Sequence, residues 1–327
     1  MARFIVSAIL VASSLTSFSQ DLFKISLSDF ELNTDSMSFK ISEIVDARKD
    51  SKVIGIIQRG VTNRKDLAVF EKPGVQELDE LLKRANLFSK DKGIVLRISE
   101  LTVSEITSMW RETARGEISM DFFIPYNQDY YYVTSVHATI ETRGSDVTAF
   151  HASNVATVIE NALIQFSKRA TEVNSVQPFA KEDLIDPAQS FRSLSSMPIV
   201  KATDYKEGYY TTFDEFINNA PSVSINCSVK LDDFSLINCD GEEKETSVYG
   251  FAKDNQLFIA FHQDFYPIQK INNEFIFFGP RERSGKDIED AYKGMIVPRQ
   301  IGKRGNNPMY KIDLKTGVIK NGNGFLN

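Results

Sequence analysis

Polar and apolar residues repeat with two different periods along this chain, and the switches between them mark out its elements. Ser38-Phe39-Lys40-Ile41-Ser42 alternates with period two, and Lys52-Val53-Ile54-Gly55-Ile56-Ile57 is a nearly continuous apolar run, so both read as strands around a polar turn at Asp46 to Ser51. After Pro73-Gly74 the period lengthens. Val75, Leu78, Leu81, Leu82 and Ala85 recur at helical spacing, which predicts a helix from Val75 to Asn86 with Glu77, Asp79, Glu80, Lys83 and Arg84 on its outer side. Strand patterns return at Ile94 to Ile98, Glu117 to Phe123 and Tyr130 to Ile140, the last two as a hairpin. A second helix is predicted from Asn154 to Ala170, with Val155, Val158, Ile159, Ala162, Leu163 and Phe166 on one side. The expectation is an α+β domain over residues 20–172, one antiparallel sheet carrying two helices on a face.

Residues 173–196 lose all periodicity and gain Ser, Gln, Asp and Pro, which reads as a linker. Residues 197–327 then read as a mostly antiparallel β domain of hairpins. Thr212 caps one short helix through Phe216, stopped by Asn218-Asn219-Ala220-Pro221. Strands are predicted at Leu257 to Phe261, Phe265 to Lys270 and Phe275 to Phe278, with a turn at Asn272-Asn273. Tyr310 to Leu314 and Val318 to Lys320 flank a turn at Lys315-Thr316-Gly317, where glycine supplies positive φ.

The N-terminus has its own pattern. Arg3 precedes the apolar run Phe4 to Ala12, and Ser17 and Ser19 stand at the small-residue positions before Gln20. This predicts a secretory signal peptide over residues 1–19, too short in its apolar run to span a bilayer. The mature protein is expected in the periplasm, or extracellular and associated with the outer membrane, with no transmembrane segment after cleavage. A formal charge of −6, from 38 basic and 44 acidic residues, argues against nucleic acid as a partner. Pro298 to Asn327 is the basic exception: Arg299, Lys303, Arg304, Lys311, Lys315 and Lys320 face only Asp313. It reads either as a surface for an acidic partner or as lysines guarding an edge strand.

Candidate chemistry is sparse. Cys227 and Cys239, the two cysteines of the chain, flank Asp232-Asp233; a hairpin about that turn would place them opposite each other, and an oxidising compartment would join them. His262 and Asp264 stand two apart on the predicted strand, hence on one face, where the carboxylate could fix the imidazole as a general base. Phe261 and Phe265 would share the opposite face. His137 and His151 have no metal-ligand spacing, and nothing calls for a cofactor or a metal. Three partial motifs fail on spacing or context. Gly279 to Lys286 has five residues between its glycines where a phosphate loop has four. Ser89 follows a helix where the β-lactamase nucleophile opens one, and Asp240-Gly241-Glu242-Glu243 lacks the alternating ligands of a calcium loop. Among the aromatic residues, Tyr266, Phe275 and Phe277 are the candidates for an exposed stacking surface, with Lys303, Arg304 and Lys311 as its basic complement.

The stretch from Gly208 to Ser222, centred on Phe213-Asp214-Glu215-Phe216-Ile217-Asn218-Asn219, resembles a group of secreted proteins from Bacteroidota-type Gram-negative bacteria, as do Val248 to Asn255, Phe265 to Ile268 and Phe275 to Phe278. More weakly, Val45-Asp46-Ala47-Arg48 and Ile54-Gly55 resemble small α+β envelope proteins. The resemblance implies an address and a domain division; it brings no reaction and no catalytic set. Taken together, the expectation is a secreted, non-catalytic envelope protein binding a protein or glycan. The alternatives are a hydrolase using His262 and Asp264, or a carrier with an apolar cavity between sheet and helices.

Overall fold

A computed structural model describes residues 22–35, 37–59, 64–89, 93–107, 111–169, 177–231, 235–280 and 308–321. The signal-peptide reading of residues 1–19 lies outside the described residues, as do Lys303 and Arg304.

The protein is α+β, as the periodicities require. The first sheet runs β1 (Leu22–Ile25), β4 (Arg64–Phe70), β3 (Val53–Arg59), β5 (Ile94–Thr107), β6 (Glu112–Tyr126), β7 (Asp129–Gly144), and β2 (Ile41–Asp46) also lies against β5. The sheet is mixed and not purely antiparallel, because β1–β4, β2–β5 and β3–β5 are parallel. At 14 residues β5 is long enough for β2 to pair with its first half and β3 with its second, along one edge. Glycine is required at that junction: a Cβ on Gly55 would stand 1.8 Å from the Val103 carbonyl oxygen.

Helices α1 (Gly74–Arg84) and α2 (Phe150–Ser167) cover one face. Leu78, Leu81, Val155, Ile159, Leu163 and Phe166 bury against Leu96, Ile118, Met120 and Phe122. Glu77 is not on the outer side of α1. It is buried, and its carboxylate accepts the backbone N–H groups of Leu27 (3.0 Å) and Lys72 (3.1 Å). Glu80 pairs with Lys72, and the Arg84 guanidinium donates to the carbonyls of Leu27 and Phe30.

The opposite face of this sheet is polar and still buried. Arg115, Glu117, Ser119 and Asp121 alternate along β6 with Ser135 and His137 beside them on β7, and every one is buried. The segment expected to be a linker supplies part of that cover. Residues 177–192, with α3 (Lys181–Ile185) inside them, form a strap across the face. Arg97, 1% exposed, is the clamp. Its guanidinium pairs with Asp121 (2.6 Å) and donates to the carbonyls of Leu184 (2.8 Å), Asp186 (2.7 Å) and Gln189 (3.3 Å). Phe191 packs edge-on against Phe123 at 4.7 Å, beneath the Arg97 guanidinium.

The second lobe covers the rest. Helix α4 (Pro198–Lys201), β8 (Gly208–Tyr210) and α5 (Phe213–Ile217) lead into it, with the Thr212 hydroxyl accepting the Glu215 N–H as a helix cap. One sheet runs β14 (Asp264–Pro267), β13 (Gln256–Phe261), β12 (Gly250–Lys253), β8. Another runs β15 (Gln269–Ile271), β16 (Glu274–Phe278), β17 (Met309–Ile312), β18 (Ile319–Asn321). The predicted strand Phe265 to Lys270 breaks at the buried Ile268, where the chain passes from one sheet to the other. Tyr210, Phe216, Leu257, Ile259, Phe275 and Ile312 lie in the core between them. A separate ribbon holds β9 (Ser228–Leu231), β10 (Ser235–Cys239) and β11 (Glu242–Glu245). Ser228 pairs with Asn238, so Cys227 and Cys239 fall opposite each other and stand at disulfide distance. Among the described residues, no helix is long and apolar enough to cross a membrane.

Candidate functional site

The strand that was to align His262 with Asp264 is interrupted between them. His262 and Gln263 are the two central residues of a tight hairpin, with φ of 50° and 59°, and Phe261 pairs directly with Asp264. Phe261 therefore turns into the core while Phe265 goes to the outer face, and the two do not share a side as expected. Asp264 is exposed and accepts the backbone N–H of Phe265. The carboxylate beside His262 is Glu141, from the other lobe, which accepts the His262 backbone N–H at 3.1 Å. Burial lowers the His262 imidazole to about 4, against the pull of Glu141. The paired acid and base of the hydrolase reading are thus not brought together. His151 lies in the first lobe, 3.2 Å from Glu105 and fully buried with it.

The nominated stacking surface is also displaced. Phe275 and Phe277 are both 0% exposed, and Tyr266 packs half-buried on the same core. Period two put them inside, because β16 is covered on the face that carries them. Lys311 on β17 pairs with Glu274, and Lys320 on the edge strand β18 pairs with Glu100 and Asp313. Of the two only Lys320 lies on an edge strand, since β17 is paired on both sides.

A different set of aromatics is presented to solvent. Tyr209 on β8, Phe251 on β12, Phe258 on β13 and Phe265 on β14 share the face of their sheet that looks away from the core, and all four are half-buried. Phe251 stacks on Phe258 at 4.4 Å and meets Phe265 edge-on at 4.8 Å and Tyr209 at 5.4 Å. Alternation along β13 and pairing with β14 place Ala260 on this same face, opposite Phe265. Ala260 also lines a cleft of about 1040 Å³ between the lobes. Ala260 is common to the aromatic face and the cleft.

The cleft is walled by α2, by β7, by the Thr211–Glu215 segment and by the disulfide ribbon. Its wall is apolar in the larger part, with polar groups set among the apolar ones. Thr139 Oγ1, Gln165 Oε1 and both amide atoms of Gln263 are buried with no hydrogen-bond partner among the described residues. His137 is held neutral: burial, aided by Arg115 and Arg192, lowers its imidazole to about 3. Arg115, also in the wall, is committed to Glu117 and Glu141, with the Phe261 ring 5.3 Å from its guanidinium. Burial raises Glu117 despite that arginine; at Glu141 the combined pull of His262 and Arg115 overcomes burial and holds it low. Across the same interface Arg192 reaches Asp214 at 2.8 Å, and Arg169 pairs with it too. Burial, with Arg192 alongside, lowers Arg169 to about 10.

Sequence reasoning passed over both features. The outer aromatics fall singly in four short strands, and only the register unites them. The cleft's polar groups come from β7, α2 and a hairpin turn, and the turn lies about a hundred residues or more from the other two in the chain.

No family model matches the chain, and no curated protein does. Among solved structures, a crystal structure of a Xanthomonas campestris protein carrying the family model DUF330 is similar over 45% of this chain and 89% of that one, at 15% identity and a TM-score of 0.27. A likeness that slight carries no argument.

Proposed function

We propose that this chain is exported by the signal peptide at residues 1–19 and acts as a non-catalytic binding protein of the periplasm or cell envelope, with a protein or glycan as its partner. The observation that carries the reading is the aromatic face of Tyr209, Phe251, Phe258 and Phe265, which packs on itself and belongs to no core. Of the two partner classes a glycan fits better. Flat aromatic faces stack against sugar rings, and this one shares Ala260 with a cleft furnished with neutral hydrogen-bonding groups. The cysteine pair at disulfide distance suits an oxidising compartment. The ion pairs of Asp214 with Arg169 and Arg192, which cross between the lobes, would hold face and cleft in fixed relation, as a preformed site needs.

Expression of the tagged full gene in its native host, followed by crosslinking in the envelope, tests this. The expected outcome is an exported chain beginning at Gln20 by intact mass, and a reproducible crosslink lost in the Phe251→Ser/Phe258→Ser variant. A chain retaining residues 1–19 in the cytoplasm, or a crosslink indifferent to the variant, would overturn it.

A further inference from the structure

We infer that the cleft between the lobes is a binding site for a neutral saccharide. This deepens the glycan reading of the chain and rests on it, but it concerns different residues. Three properties of the cleft select the ligand.

The first is unmet hydrogen-bonding capacity. Thr139 Oγ1, Gln165 Oε1 and the Gln263 amide are buried at the cleft without partners among the described residues. Buried polar groups are ordinarily satisfied, and a cluster of exceptions converging on one space calls for a ligand that supplies the bonds. The second is their kind. A hydroxyl donates and accepts, one amide offers both roles, and the other adds an acceptor. Sugar hydroxyls, which donate and accept at every position, complement that mixture; an apolar tail would bury it unmet. The third is charge. The arginine in the wall, Arg115, is already held by two carboxylates, so no free buried cation awaits an acidic or phosphorylated ligand there. Lys168, Glu242 and Lys244 are exposed and of mixed sign. The volume, about 1040 Å³, accommodates more than one ring, and Ala260 is common to it and the aromatic face, where further rings would stack.

The turn that delivers Gln263 supports the assignment. The other described two-residue turns with positive φ at both positions use Asp254-Asn255, Asn272-Asn273 and Asp240-Gly241, residues that suit that backbone. His262-Gln263 does not, which accords with side chains chosen for what they reach.

Calorimetric titration of the full mature chain with neutral di- to tetrasaccharides of glucose, galactose, mannose and N-acetylglucosamine tests the site. Each is run against wild type, Thr139→Val, Gln165→Leu and Gln263→Asn, with thermal melts alongside. At least one saccharide should bind wild type and weaken tenfold or more in Thr139→Val and Gln165→Leu, which should melt no lower than wild type because each removes an unpaired polar atom. Three results would overturn the inference: no neutral saccharide binds; binding is indifferent to the cleft variants; or only acidic sugars or peptides bind. If binding is lost in Phe251→Ser/Phe258→Ser and retained in the cleft variants, the cleft assignment falls and the aromatic-face reading survives. If the envelope crosslink fails but a saccharide binds wild type and not the cleft variants, the reverse holds.

Discussion

Two of the three histidines sit at the seam between the lobes, and their burial makes the protein's stability depend on pH in a calculable way. His137 and His262 are lowered from 6.5 to about 3 and about 4, in each case mainly by burial. An unfolded chain takes up protons at these sites near pH 6.5, whereas the folded chain resists until far lower, so the unfolded state binds more protons and stability drops as the pH is lowered. The stabilisation is fully present above pH 6.5 and is lost progressively down to the folded values. Each pH unit costs about 1.4 kcal/mol per histidine, so both together remove about 4 kcal/mol between pH 6.5 and about 5. That is a large share of a typical folding stability of about 5–15 kcal/mol. Glu117 and Glu112, raised mainly by burial, act in the opposite sense. Variants therefore isolate the imidazoles. Urea unfolding at about pH 7, 6 and 5 gives the slope for wild type, His137→Gln and His262→Gln. Each substitution should reduce that slope by about 1.4 kcal/mol per pH unit below 6.5, whatever it does to stability at pH 7. A double variant with the wild-type slope would refute the argument.

Other consequences follow from single residues. Exported protein, unfolded and probed for thiols, should show none free, and Cys227→Ser/Cys239→Ser should cost at most about 3 kcal/mol, since the bond closes a short loop. Arg97→Met leaves Asp121 buried without its cation and removes the donor from three strap carbonyls. It should destabilise by about 3–5 kcal/mol, and limited proteolysis should cut between residues 177 and 192, where wild type resists.

Much of this fold is written locally. Leu78, Leu81 and Leu82 of α1, the apolar positions of α2, the Thr212 cap and the Asn272-Asn273 turn depend on neighbours in the chain, and they stand where periodicity and turn chemistry put them, whereas Val75, expected on the apolar side of α1, is exposed. What escaped depends on distant partners. Arg115, Glu117, Ser119 and Asp121 alternate as a solvent-facing strand would, yet they are buried because cations and carboxylates pair there beneath a strap and a second lobe. Residues 177–192 look like a linker because what orders them is Arg97, some eighty residues earlier. His262 and Asp264 looked like a same-face pair because nothing local marks His-Gln as a turn; with neither Gly nor Asn, its positive φ is visible only in three dimensions. The aromatic face was missed for a related reason. Period two says that half of a strand's rings are outside, and register alone says which.

Cosedimentation of the purified mature chain with protease-treated envelope material from its own host, for wild type and Phe251→Ser/Phe258→Ser, tests the central claim most directly. Wild type should sediment with the protein-free glycan fraction and be released by a neutral oligosaccharide, while the variant stays in the supernatant. Wild type remaining soluble, or both sedimenting alike, would contradict it.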